Sequence, residues 1–330
     1  MTKRFSARII GTGSAVPEKV MTNHDFEQIV DTSDEWITTR TGIKQRRIAA
    51  DDQSTADLAT EAATKALEAA GVSGEQLDMI IVGTITPEMF FPSTACFVGA
   101  RLGAYGAAAF DLAAACSGFV YALTVASHFI EIGAMKRILV IGAETLSKIT
   151  DFTDRTSCIL FGDAAGAVVV GASDDLDSGL LYSTLGADGR QWECMHIPGG
   201  ASRHPATHET VENRMHYMKI YGREVYRFAV NKMQELVLAC MANCNLSVDE
   251  VKLVVPHQVN RRIIESAIHK LGFPPEKVYV NIDHFGNTSG ASVPLALDQA
   301  WRDGGIEPGD NVIFVAFGGG LTWAAAVVRH

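Results

Sequence analysis

The sequence predicts an α/β fold made of two similar halves. Three observations carry that expectation: helical periodicity alternating with short, continuously apolar runs, a second copy of the pattern offset by 174 residues (72 to 246), and ample apolar material for a core. Of the 330 residues, 47% are hydrophobic and 20% charged, an ordinary balance for a folded globular chain. That balance excludes intrinsic disorder, and the length suits about two domains.

In chain order, Thr55–Ala70 has helical periodicity and ends at Gly71, a helix-stop residue. Met79-Ile80-Ile81-Val82 reads as a buried strand, as do Arg137–Ile141 and Ala167–Val170. Their apolar runs are continuous rather than alternating, the mark of strands covered on both faces. Val72–Val82 aligns with Leu246–Val255, each leading from a helical pattern into a strand. Ser117-Gly118 and Ser289-Gly290 then each open a helical segment, at an offset of 172 (117 to 289), and run on to strands Arg137–Ile141 and Asn311–Val315. The halves are expected at about 1–175 and 176–330. Gly199–Asn213 is polar and His-rich, and reads as a surface or lid loop.

A formal charge of −10 excludes non-specific nucleic-acid binding by bulk charge, so an acidic partner must meet a local basic patch. No apolar run reaches the ~20 residues of a membrane span. Phe5-Ser6-Ala7-Arg8 interrupts any apolar leader after Met1-Thr2-Lys3-Arg4, so no secretory signal is expected. Six cysteines without a C-x-x-C pair suit a reduced, cytoplasmic protein. Cys240 and Cys244 lie one helical turn apart but lack further ligands, so no metal is expected.

Cys116 lies between the apolar Phe110-Asp111-Leu112 and a helical pattern over Val120–Ile132. A thiol at such a strand-to-helix turn faces free N–H groups and the helix dipole, which favour the thiolate. A buried, inert cysteine is the commoner fate, and the small neighbours Ala113–Ala115 and Gly118, which leave room for a substrate, weigh against it. His257 ends the strand Leu253–Pro256, where a hydrogen-bonded structural histidine is the bland alternative. Asn287 sits in a second turn before a helix, where it could be only a turn residue. The repeat brings the three together, because strand ends pointing the same way converge on one crevice. Gly318-Gly319-Gly320 follows a strand and either aims N–H donors at a reacting group or forms a tight hairpin.

Five ordered segments now point to one family. Asp31–Gly42 (DTSDEWITTRTG), Ala113–Phe119, Pro256–Ile264 (PHQVNRRII), Gly286–Pro294 (GNTSGASVP) and Phe317–Trp323 (FGGGLTW) resemble β-ketoacyl-acyl-carrier-protein synthase III, essentially from end to end. The resemblance implies a thiolase-like, duplicated, five-layered αβαβα fold and a homodimer. It implies decarboxylative condensation of an acyl-CoA primer with malonyl-acyl-carrier protein at the start of fatty-acid synthesis, with no cofactor beyond those thioesters. Gly290 stands where the family often has alanine, Ala324 where glycine is frequent, and the 199–213 loop is longer than usual. These departures bear on chain-length preference, not on the reaction.

On this resemblance Cys116 takes the acyl group, and the backbone N–H groups of Cys116 and Gly319 hold the oxyanion. His257, as neutral Nε2–H, and the Asn287 amide donate to the enolate left by decarboxylation. Phe317 lies beside the malonyl carboxylate, where an apolar neighbour favours loss of charge as carbon dioxide. Trp36 and Arg155 match positions that stack on the coenzyme A adenine, with further contacts at Thr32, Arg40, Gly222 and Asn260. Phe91 matches a residue that closes the dimer neighbour's acyl pocket, which Phe161 lines. Arg223, Arg227, Arg261, Arg262 and Lys270 form the expected patch for an acidic carrier protein. Three other readings stay open: a specialised relative with another primer, a Cys-His-Asn hydrolase, and a non-catalytic carrier-binding module.

Overall fold

The computed structural model describes residues 4–330, leaving out the side chains of 223–225. Its strands are β1 (Ser6–Ala15), β2 (Val20–Thr22), β3 (Gln45–Arg47), β4 (Met79–Gly83), β5 (Ala108–Leu112), β6 (Arg137–Glu144) and β7 (Ala164–Ser173), followed by β8 (Gly179–Ala187), β9 (Met195–His196), β10 (Lys219–Ile220), β11 (Val251–Pro256), β12 (Asn311–Gly318) and β13 (Thr322–Arg329). One mixed sheet has the order β1-β7-β6-β4-β5 and a second the order β11-β12-β13-β8. The directions repeat. β4 and β6 are parallel, with β7 antiparallel to β6 and β1 antiparallel to β7; β11 and β12 are parallel, with β13 antiparallel to β12 and β8 antiparallel to β13. Where β5 flanks β4 in the first sheet, a single parallel bridge from Val278 flanks β11 in the second.

Five layers follow from which faces are apolar. Helices Thr55–Ala70 and Thr94–Leu102 cover the outer face of the first sheet through Leu58, Ala62, Ala66 and Val98. Between the sheets lie Gly118–Glu131 and Ser292–Arg302, whose Phe119, Leu123, Val293 and Leu297 pack on strands of both. These two helices are buried nearly all round, as helices in the middle of a sandwich must be, and the polar Ser292 and Asp298 of the second are buried with the rest. Gly222–Cys244 and Arg261–Leu271 cover the second sheet's outer face through Met233, Val237, Ile264 and Ile268. The layers come close: a Cβ on Gly142 of β6 would lie 2.2 Å from the Gly290 carbonyl. Asp298, buried on the inner helix, accepts from Thr12 Oγ1 at 2.7 Å and Ser14 Oγ at 2.6 Å, which ties that helix to β1.

Two expectations change. The helix-opening turns are 3₁₀ turns at Ala115–Ser117 and Ser289–Ala291, and the helices start at Gly118 and Ser292. The offset there is therefore 174 (118 to 292), the same as at residue 72, rather than the 172 suggested by the Ser-Gly pairs. The stretch Gly199–Asn213 is exposed, as a loop should be, but carries a short helix, His208–Glu212, capped by Thr207 and Thr210.

Candidate active site

The two inner-helix turns face each other and build the site. Ala115 (φ 48°) and Ser289 (φ 49°) both hold left-handed backbone that side chains disfavour. Such strain persists only where packing on every side enforces it. Cys116, fully buried on the first turn, lies against the end of β12: a Cβ on Gly318 would come within 2.6 Å of the Cys116 nitrogen. That close approach requires glycine and carries Gly319 past the nucleophile.

Cys116, His257, Asn287, Phe317, Gly318 and Gly319 share one cavity of about 20 Å³, closed by Met195, Phe228, Val259 and Leu321. His257 is anchored by its backbone N–H, which donates to the Val315 carbonyl at 2.8 Å. Its ring stands edge-on to Phe317, with centroids 5.8 Å apart. Nδ1 lies 2.7 Å from Ser292 Oγ, while Nε2 is buried without a partner among the described residues. Burial pushes this imidazole down to about 3, so the ring is neutral at physiological pH. Asn287 Oδ1 accepts from the Ser289 N–H at 2.9 Å, which leaves Nδ2 as the donating end of the amide. Its backbone is clamped by N–H to Leu160 O at 2.8 Å, and its carbonyl accepts from the Gly162 N–H at 3.1 Å. Beneath that clamp Arg46, fully buried, donates to Asn23 Oδ1 at 2.8 Å and to the Ile159 carbonyl.

Burial works against the expected thiolate. Burial pushes the Cys116 thiol up to about 12, a Ser289 hydrogen bond pulls it down, and the Glu144 carboxylate pushes it up again. Glu144, at the end of β6, accepts from Thr86 Oγ1 at 2.6 Å, Ser289 Oγ at 3.1 Å, and the Ile85 and Thr86 N–H groups. Burial raises this carboxyl to about 7. No local motif flags Glu144, and the bond that brings Ser292 to His257 joins residues far apart in the chain.

The remaining expected residues fall into surface groups. Trp36 carries Arg155 5.4 Å and Arg40 5.9 Å from its ring centroid, and Arg155 also pairs with Asp31 at 3.1 Å. The Thr32 hydroxyl is buried without a partner among the described residues, and a Cβ on Gly222 would meet nothing within 4 Å. Asn260 caps helix Arg261–Leu271, accepting from the Arg262 N–H, and donates to the Arg40 carbonyl at 3.1 Å. Phe161 is buried with Leu146, Met218 and Met195, beside the cavity, and Phe91 is 83% exposed on an outer loop. Arg227, Arg262 and Lys270 are exposed; Arg261 is held by Glu265 at 2.9 Å; the Arg223 side chain lies outside the described residues. Among the described residues no helix is long and apolar enough to cross a membrane.

Comparison with known proteins agrees with this arrangement. Residues 110–189 match the family model 3-oxoacyl-[acyl-carrier-protein] synthase III, and residues 241–330 match the model of its C-terminal part. The chain is 54% identical to the β-ketoacyl-[acyl-carrier-protein] synthase III of Caldanaerobacter subterraneus subsp. tengcongensis, covering 100% of this chain and 99% of that one. It is 50% identical to the enzyme of the same name from Clostridioides difficile, with 98% of each chain covered. The crystal structure of 3-oxoacyl-[acyl-carrier-protein] synthase III from Aquifex aeolicus superposes with a TM-score of 0.91 at 48% identity, over 98% of this chain and 100% of that one. The priming β-ketosynthase of the R1128 polyketide pathway has the same TM-score, 0.91, at 34% identity, over 100% and 97%. With the duplicated sheets and the shared Cys-His-Asn cavity, these likenesses place the chain in the β-ketoacyl-[acyl-carrier-protein] synthase III family of condensing acyltransferases.

Proposed function

We propose that this chain condenses a short acyl-CoA, acetyl-CoA foremost, with malonyl-acyl-carrier protein to give 3-oxoacyl-carrier protein, coenzyme A and carbon dioxide. The observation that carries this reading is the closed cavity in which the Cys116 thiol, the unpartnered His257 Nε2 and Asn287 meet beside Phe317. Cys116 sulfur attacks the primer carbonyl, the bond to coenzyme A breaks, and the thiol proton ends on the departing coenzyme A. The malonyl thioester then loses carbon dioxide. Its enolate oxygen takes hydrogen bonds from His257 Nε2–H and Asn287 Nδ2–H, both uncharged donors. The enolate carbon attacks the acyl-Cys116 carbonyl, and Cys116 leaves as thiolate and takes up a proton from solvent. Phe317, apolar and edge-on to His257, gives a carboxylate nothing to bind and so favours its loss. Met195, Phe228 and Leu321, which line the same cavity, would border the acyl group.

Trp36 and Arg155 would receive the adenine, and Arg227, Arg262 and Lys270 the acidic carrier. A homodimer is supported by Phe90 and Phe91, 81% and 83% exposed on one loop, an apolar surface that a second copy would cover. The free thiols, Cys158 and Cys240 among them, suit a reduced cytoplasmic setting, with no cofactor beyond the substrates.

The test is a panel of acyl-CoA primers, two-carbon to branched, assayed with malonyl-carrier protein for carbon dioxide and 3-oxoacyl product. Peptide mapping after brief acetyl-CoA exposure should place the acetyl group on Cys116 and on no other cysteine. Hydrolysis of the acyl-enzyme by water without carbon dioxide release would instead favour the hydrolase reading.

A further inference from the structure

A neutral imidazole carries one proton, and which nitrogen holds it is decided by the partner of the other. His257 Nδ1 has one such partner, Ser292 Oγ at 2.7 Å, and both residues are buried. Ser292 is the first residue of its helix, so its position is fixed by the fold. Its hydroxyl is also within donating distance of the Ser289 carbonyl, at 2.8 Å, and its oxygen accepts from the Gln258 N–H at 3.4 Å. A hydroxyl has a single proton, and here two acceptors compete for it.

Two observations favour the ring over the carbonyl. The Ser289 carbonyl already accepts the Ser292 backbone N–H, so it keeps a hydrogen bond when the hydroxyl turns to the ring. An imidazole nitrogen lone pair has no other donor there, and it is a stronger base than an amide carbonyl. We propose that Ser292 is a positioning residue of this site: its hydroxyl donates to His257 Nδ1 and fixes the ring in the tautomer that carries its proton on Nε2. That nitrogen is the one left unpartnered in the cavity with Cys116 and Asn287. Gln258 N–H supplies a donor to the Ser292 oxygen, completing a chain that runs from backbone to hydroxyl to ring. The opposite arrangement, with Nδ1–H donating to Ser292, would turn a lone pair toward the enolate oxygen and repel it. The catalytic consequence rests on the reading of His257 as an enolate donor; the tautomer does not.

The experiment therefore begins on the free enzyme. Protein labelled with ¹⁵N in histidine is read by long-range ¹⁵N–¹H correlation, and His257 is assigned by its disappearance in His257→Gln. The expected wild-type spectrum shows a protonated Nε2 and a lone-pair Nδ1; a protonated Nδ1 overturns the proposal. In Ser292→Ala the ring should lose its fixed tautomer. Condensation should then fall by up to about 10²-fold, the low end of what a lost oxyanion donor costs. Acyl transfer from acyl-CoA to Cys116 should stay near wild type, and Ser292→Thr should restore both tautomer and rate. Retention of the Nε2–H form and of full condensation in Ser292→Ala would also overturn it. If Ser292→Ala does not fold, the wild-type spectrum still decides. Failure of the wild-type enzyme to release carbon dioxide from malonyl-carrier protein would count against the proposed function and leave the tautomer untouched.

Discussion

Replacing Asn287 by Asp separates the two half-reactions, because it keeps size and shape while exchanging an amide donor for a carboxylate. In the structure Oδ1 is held by the Ser289 N–H at 2.9 Å, so one oxygen of the new carboxylate would keep that bond. The other oxygen would stand where Nδ2 stands, at the cavity shared with Cys116 and His257. Losing one enolate donor costs about 2.7–4 kcal/mol, or 10²–10³ in rate. Placing a negative charge ~4 Å from the developing oxyanion adds about 4 kcal/mol at an effective dielectric constant near 20. The two effects together take condensation down by roughly 10⁵-fold. Acyl transfer uses Cys116 and backbone donors and should survive.

The pH dependence sharpens the test. The new carboxyl is buried, and the Glu144 carboxylate lies one residue away through the Ser289 hydroxyl at 3.1 Å. Burial and a like charge both raise a carboxyl's pKa. Its protonated form can donate, so residual condensation in Asn287→Asp should climb as pH falls and level off below that pKa. The assay pairs radiolabelled acyl transfer to the protein with carbon dioxide release from malonyl-carrier protein, each from pH 5 to 8. Equal loss of both half-reactions, or a condensation rate that ignores pH, would refute the role given to Asn287.

Three further substitutions probe the surroundings. Gly318→Ala would put a Cβ 2.6 Å from the Cys116 nitrogen and 3.2 Å from its Cβ, so the nucleophile's turn must shift; a stability loss of about 1–3 kcal/mol and much slower acylation of Cys116 are expected, and unchanged acylation by mass spectrometry would contradict the packing argument. Arg262→Ala, on an exposed helix face, should raise KM for malonyl-carrier protein and weaken its salt dependence, while an equal loss with a small malonyl thioester would argue against surface docking. Arg214 grips Asp151 through two nitrogens and holds that carboxylate below its usual range, a modest stabilisation because the guanidinium is exposed. A depressed carboxylate stabilises the fold above its ordinary pKa, so the Tm deficit of Arg214→Ala should hold at neutral pH and shrink as pH falls below about 4.

Much of the fold was legible because its signals are local. Helix Thr55–Ala70 is bracketed by the Ser54/Asp57 capping box and by Gly71 at φ 63°, both readable as residue types. The strands have the continuous apolar runs that burial on two faces demands. Legibility failed where the deciding property was not local. The repeated Ser-Gly pair drew the wrong register because the true markers, left-handed Ala115 and Ser289, are not glycines; tertiary packing alone enforces them. The short helix His208–Glu212 escaped notice because its cap pairs Thr207 with Thr210 rather than with an acid or amide. At the site, residue types at turns singled out Cys116, His257 and Asn287, whereas Ser292 and Glu144 reach it only through bonds spanning 35 and 145 residues.

The state of the nucleophile shows most clearly where local reasoning stops. A helix N-terminus favours a negative charge by about 0.3–1 kcal/mol. From the ordinary 9.0, burial carries the Cys116 thiol up to about 12, and three pKa units amount to roughly 4 kcal/mol against the thiolate. Desolvation therefore wins, and the carboxylate of Glu144 works in the same direction. The helix dipole favours the thiolate at Cys116 and burial opposes it, and the opposing contribution comes from residues that only the fold brings around it. In the proposed reaction a neutral thiol gives up its proton as the coenzyme A thiolate leaves to receive it.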